Sequence, residues 1–200
     1  MHKKRLQNLF TVLTYELFDI LLYKEGGNDV SEIPMKDEIY LKEILEQCNY
    51  AFEALRSMYI SYNEDLAKFF YHVQMFLSST ANVNKLLNNN SKDKYKEHQS
   101  RIKETYEIPD IDFDTERRIR NSLEHIDEKL VDWIMKSKSH NLANRNLMPK
   151  SAISGDFDFF INFDPTNNVL SFGDLEIDTE ETFNKLKQVS LQIEEILSLF

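Results

Sequence analysis

Residues 116–135 read ERRIRNSLEHIDEKLVDWIM, and within them Ile119, Leu123, Ile126, Leu130 and Trp133 recur at 4-3-4-3 spacing. An α-helix turns about 100° per residue, so this spacing aligns all five side chains on one face. Most other positions are charged or polar. The stretch therefore predicts one long amphipathic helix with a single apolar seam, a surface that is stable only when packed on other helices. Pro109 and the acidic residues Asp110, Asp112 and Asp114 lie just upstream. They suit a helix start, where carboxylates face the positive end of the helix dipole.

The same period recurs on the N-terminal side. Leu6, Phe10, Leu13, Leu17 and Ile20 predict a helix stopped by Gly26 and Gly27. Leu41, Leu45, Cys48, Phe52, Leu55 and Tyr59 predict a second over about 35–59, and a third starts near Asn63 with Leu66, Phe69, Phe70, Val73, Phe76 and Leu77 inward. Asn88, Asn89, Asn90 and Ser91 form a polar break, and the charged stretch 92–106 predicts a mostly exposed helix. The fold class is thus mainly α, an antiparallel bundle of four to five helices.

The pattern changes after Ser137. Residues 137–156 are rich in Ser, Asn and Lys and read as a basic polar loop. Phe157, Phe159, Ile161 and Phe163 alternate with Asp158, Phe160 and Asn162, predicting a strand whose odd-numbered residues face the core. Residues 164–168 predict a turn and 169–177 the returning strand, giving a C-terminal β-hairpin. Asp178 and Glu181 resemble a capping box for a final helix that buries Phe183, Leu186, Val189, Ile193, Ile196 and Phe200. Three parts result: a helical bundle over 1–136, the loop 137–156, and a hairpin with a final helix over 157–200 that packs back on the bundle.

The 200 residues carry a net charge of −10, unevenly spread. Residues 156–200 hold 2 basic and 10 acidic side chains, whereas 85–155 hold 14 and 12. The acidic tail either masks the basic middle or is a solvated surface. Cys48 is the single cysteine, which excludes an internal disulfide, and its place on the seam predicts a packed thiol. The start Met1-His2-Lys3-Lys4-Arg5 is basic, but the following residues are interrupted by Gln7, Asn8, Glu16 and Asp19 and lack a small-residue cleavage site. No apolar run reaches the roughly 20 residues that span a bilayer. A cytoplasmic protein without membrane contact is expected. No His, Cys, Asp and Glu cluster has metal-site spacing, so neither metal nor cofactor is expected.

Within the central helix, Arg120, Asn121 and His125 form an R-N-x-x-x-H pattern. Arginine supplies a permanent cation, and histidine a proton carrier that titrates near neutrality. Together they can handle a phosphodiester without a metal. On a straight helix, all three face away from the bundle core, on an arc shared with Arg117, Glu124, Glu128 and Asp132. That arc is either a solvated surface of ion pairs, such as Arg120–Glu124 and Arg117–Glu124, or half of a cleft completed by a second copy of the chain. One helix separates Arg120 from His125 too widely to grip one phosphate easily, so the functional alternative requires a twofold dimer.

The pattern Arg120-Asn121-x-x-x-His125 resembles the R-x4–6-H motif of the HEPN superfamily, helical-bundle proteins that bind nucleotides or cleave RNA. Asn121 matches the polar residue that usually follows the arginine, and the motif sits on a late helix of the bundle. The resemblance covers residues 5–136 in architecture and six residues in motif. It implies a metal-independent endoribonuclease of a toxin–antitoxin or phage-defence system, dimeric, with Arg120, Asn121 and His125 in the active site. It also implies RNA as substrate and an antitoxin or nucleotidyltransferase as a partner. The alternatives are a catalytically silent HEPN-like binding module and a helical scaffold. Arg117 on that arc, and Lys94, Lys96, Arg101, Lys136, Lys138 and Arg145 in two basic stretches that also contain His98 and His140, are candidate contacts to the RNA backbone. An exposed basic surface explains each stretch equally well.

Overall fold

The computed structural model describes residues 33–88, 93–138 and 141–199, so the expected helix over 6–20, His140 and Phe200 lie outside the described residues. Helix α1 spans Met35–Ser61 and α2 spans Leu66–Asn88. Asp65 starts α2, its carboxylate accepting from the amides of Ala67 at 3.0 Å and Lys68 at 3.1 Å. The two helices run antiparallel. The Tyr40 hydroxyl donates to the Leu86 carbonyl, Asn82 Nδ2 donates to Gln47 Oε1 at 3.1 Å, and Tyr62 meets Phe69 edge-on near the connecting turn. Their shared face is apolar: Leu41, Ile44, Cys48, Phe52, Phe69, Val73, Phe76 and Leu77 are all buried. Leu66 departs from the expected pattern and is half exposed, in the first turn of α2.

Helix α3, Asp93–Thr105, buries Gln99 and Ile102, half-buries His98 and Lys103, and is otherwise exposed. The expected long helix over 116–135 is broken in two. Helix α4 spans Asp114–Glu124 and α5 spans Ile126–Lys136, with His125 between them at φ −101° and ψ 37°. The start is as expected: Asp112 accepts from the Asp114 amide at 2.8 Å, and Asp114 and Glu116 occupy the first turn. Ile119 is buried, while Leu123, Ile126, Leu130 and Trp133 are half-buried against the core. The seam survives the break because each half keeps its own apolar face. No Pro or Gly marks the break. Beyond it, Trp133 stacks on Phe160 at 5.0 Å between ring centroids, tying α5 to the sheet segment.

The C-terminal β region is more than a hairpin. Strands β1 (Leu142–Ala143) and β3 (Asp158–Phe159) pair in parallel. Strands β2 (Asn146–Leu147), β4 (Ile161–Asp164), β5 (Val169–Phe172) and β6 (Leu175–Asp178) form a four-stranded sheet in that order. The loop expected over 137–156 thus contributes two short strands and a 3-10 turn, Lys150–Ala152. The expected returning strand is two strands, split where Gly173 takes φ +55°, a conformation that costs glycine little.

The expected alternation over 157–163 also fails. Phe160, Ile161, Asn162 and Phe163 are all buried, whereas Phe157 and Phe159 are half-buried. Phe160 is the switch point: its amide donates to Ala143 and its carbonyl accepts from Gly173, so the chain passes from one sheet to the other. Strand β4 is covered on both sides. Phe163 packs on Phe69, with centroids 5.2 Å apart, and Asn162 Nδ2 donates to the Met148 carbonyl at 3.2 Å. A strand buried on both faces loses the polar–apolar alternation of an exposed one.

Helix α6, Thr179–Ser198, closes the structure. Asp178 caps it as expected, accepting from the amides of Glu180 at 2.8 Å and Glu181 at 3.1 Å. Phe183 meets Phe52 edge-on at 5.1 Å, so α6 packs on α1. A polar tie joins α6 to α4: the Thr182 hydroxyl donates to the buried Glu116 carboxylate at 2.8 Å, and Lys185 lies 3.7 Å from the same oxygen. Cys48 is fully buried, and burial with Glu194 nearby pushes its thiol up to about 12, as a packed thiol requires. Among the described residues, no helix is long and apolar enough to cross a membrane.

Candidate functional site

Arg120 and Asn121 lie in the last turns of α4, and His125 occupies the break that follows. The His125 amide still donates to the Asn121 carbonyl at 3.2 Å, and its carbonyl accepts from the Lys129 amide at 3.0 Å. The backbone is therefore held from both sides while the imidazole is exposed. Arg120 Nη1 lies 3.5 Å from Asn121 Oδ1 and makes an ion pair with Glu124. The arginine side chain is 19% exposed and Glu124 is 50% exposed.

Of the two ion pairs considered for this arc, Arg120–Glu124 forms. Arg117 instead pairs with Asp114, three residues back, through Nη2 and through Nε at 3.1 Å. Glu128 and Asp132, the other carboxylates of the expected arc, lie on α5, beyond the break at His125.

The other candidate cations divide. Arg101 grips the buried Asp37 through both terminal nitrogens, at 2.6 and 2.8 Å, and the Tyr106 hydroxyl donates to the same carboxylate at 2.9 Å. The side-chain hydrogen bonds from Arg101 hold Asp37 below its ordinary carboxylate value despite its burial. Arg101 is thus a fastener between α3 and α1, with its side chain still 48% exposed. Lys136 pairs with Asp132 at 3.2 Å. Lys94, Lys96 and Lys138 are exposed.

Arg145 returns to the central helix. It lines a crevice with Phe70, Leu77, Ile119, Leu123 and Phe172. The crevice holds about 10 Å³, room for roughly one water and for no ligand. A polar groove of about 370 Å³ lies between α2, α3 and the segment before α4, lined by Asn88, Lys96, Ser100, Lys103, Asp110 and Asp112. There Lys103 is paired with Asp110 at 2.7 Å.

Chemically, the end of α4 offers one arginine, one amide and one exposed imidazole on a fixed backbone. Those groups can pair with an anion and move a proton. Among the described residues, no three His, Cys, Asp or Glu side chains stand close enough to hold a metal ion. The role of Arg101 was hidden in the sequence because its partner lies 64 residues away. Comparison with known protein families, curated proteins and solved structures finds no match to this chain.

Proposed function

We propose that this protein is a HEPN-like, metal-independent endoribonuclease that works as a homodimer in a toxin–antitoxin or phage-defence setting. The observation that carries this reading is the setting of His125. It interrupts α4–α5 at the motif, with its imidazole exposed and its backbone bonded to Asn121. Neutral His125 takes the proton of a ribose 2′-hydroxyl. The 2′-oxygen attacks the adjacent phosphorus, and the 5′-oxygen departs with a proton given back by the protonated imidazole. The products are a 2′,3′-cyclic phosphate and a 5′-hydroxyl. Arg120 pairs with the non-bridging oxygens as charge builds on them, and Asn121 orients the pair.

A second chain completes the cleft. The face of α5 carrying Val131, Ile134 and Met135 is apolar and exposed, as an uncovered subunit contact would be. The Arg120–Glu124 ion pair favours a second reading, a silent HEPN-like binding module serving an antitoxin or nucleotidyltransferase, because it occupies the arginine.

The test is to incubate the protein with RNA in EDTA beside Arg120→Ala and His125→Ala. Wild-type cleavage with cyclic-phosphate ends, lost in both variants, is the expected result. Equal cleavage by all three overturns the proposal. No cleavage with tight capture of a partner supports the silent module.

A further inference from the structure

A second site lies away from the motif, in an open groove of about 600 Å³ where the C-terminal end of α2 meets α1 and α3. Its walls are Tyr40, Lys85, Leu86, Lys94, Tyr95 and His98. We propose that this groove binds one nucleotide unit of single-stranded RNA, with a base on the aromatic side chains and a phosphate on Lys85 and Lys94. The inference rests on the ribonuclease reading for its ligand and on the groove's own chemistry for its place.

Three observations point to that ligand. Tyr40 and His98 meet edge-on at 4.6 Å, and Tyr95 is 41% exposed, so aromatic surface is offered at the groove. Every base has a flat face that stacks on such rings, whatever its sequence. Lys94 Nζ stands over the Tyr95 ring, 4.8 Å from its centroid, and Lys85 is exposed on α2. An aromatic ring with an ammonium over one of its faces puts a stacking surface next to a cation, the two contacts a base and its phosphate use.

The charge around the groove agrees. At about 100° per residue, Lys94, Tyr95, His98 and Gln99 share an arc of α3 of roughly 140°. Asp93 and Glu97 fall on the other side of that helix. The nearby carboxylate, Asp37, is neutralised by Arg101. The walls are also fixed in place: Gln99 Nε2 donates to the Lys85 carbonyl at 2.8 Å, and the Tyr40 hydroxyl donates to the Leu86 carbonyl. A site whose walls are already held costs less to order on binding.

The experiment measures fluorescence anisotropy of a labelled 2′-O-methyl oligoadenylate, which has no free 2′-hydroxyl and so binds without being cleaved. Cleavage of unmodified RNA is followed in parallel. Tyr95→Ala and Lys94→Ala are each expected to weaken binding about tenfold, while Tyr95→Phe retains the wild-type affinity. Circular dichroism verifies that each variant is folded. Wild-type affinity in Tyr95→Ala, or no binding by the wild type, overturns the groove. Binding that depends on Tyr95 without any cleavage overturns the ribonuclease reading and leaves the groove standing. Cleavage with binding indifferent to Tyr95 does the reverse.

Discussion

Arg120 and Glu124, one helical turn apart on α4, are joined in an ion pair at the end of the helix, directly before His125. A phosphate bound by Arg120 competes with that carboxylate. Glu124→Gln removes the competing charge, so RNA cleavage is expected to rise several-fold, most at low salt, where charge effects are least screened. The exposed glutamate contributes little to folding, and stability is expected to change by less than about 1 kcal/mol. Initial rates across a salt series and a thermal melt check both statements. A slower variant would show that Glu124 positions Arg120 rather than occupying it.

Arg101→Ala leaves the Asp37 carboxylate buried with Tyr106 as its remaining side-chain donor among the described residues. Breaking such a charged pair is expected to cost on the order of 2 kcal/mol, read from urea unfolding at neutral pH. Asp37 is held below its ordinary value of 3.8 in the fold, so its stabilising contribution is complete above that value. It is lost as the pH falls through the folded value. The wild-type advantage over Arg101→Ala should therefore shrink below about pH 4. Tyr106 has the opposite sign. Burial, assisted by its bond to Asp37, raises it from 10.0 to about 12, so its contribution is present below 10.0 and is lost between those values.

Trp133 is the only tryptophan in the chain, and its stacking on Phe160 makes its emission a reporter of α5. Phe160→Ala removes the buried ring beneath it. The expected result is a red-shifted emission from the wetter indole and a loss of about 3–5 kcal/mol in stability. Unchanged emission with reduced stability would show that α5 stays docked without the stack.

Met135 is 80% exposed, beside Val131 and Ile134. If this face joins two chains, Met135→Asp converts a dimer to a monomer in analytical ultracentrifugation. Activity then falls with the same concentration dependence as the dimer. A monomeric wild-type protein, or a variant that stays dimeric, would remove this face from the proposed cleft.

Local periodicity made most helices legible. The seam of α1, the inward face of α2, the acidic start of α4 and the Asp178 cap of α6 follow from residues within a few turns of one another. The motif residues Arg120, Asn121 and His125 were also readable, since pattern and spacing are properties of the chain. The β region was less so. Phe160 and Asn162 look outward by alternation, yet they are buried because Trp133 and the segment at Met148 cover the far side of the strand.

The sequence by itself determined a mainly helical chain, a buried thiol at Cys48, and an arginine and a histidine five residues apart. Tertiary structure alone decided that the helix breaks at His125, that Arg101 belongs to Asp37, and that Tyr40, Lys85 and Tyr95 line one groove. The physical reason is range. Helical spacing and capping act over a few residues, whereas a stacked Trp133, a neutralised Asp37 and a groove between three helices depend on partners brought together only by folding.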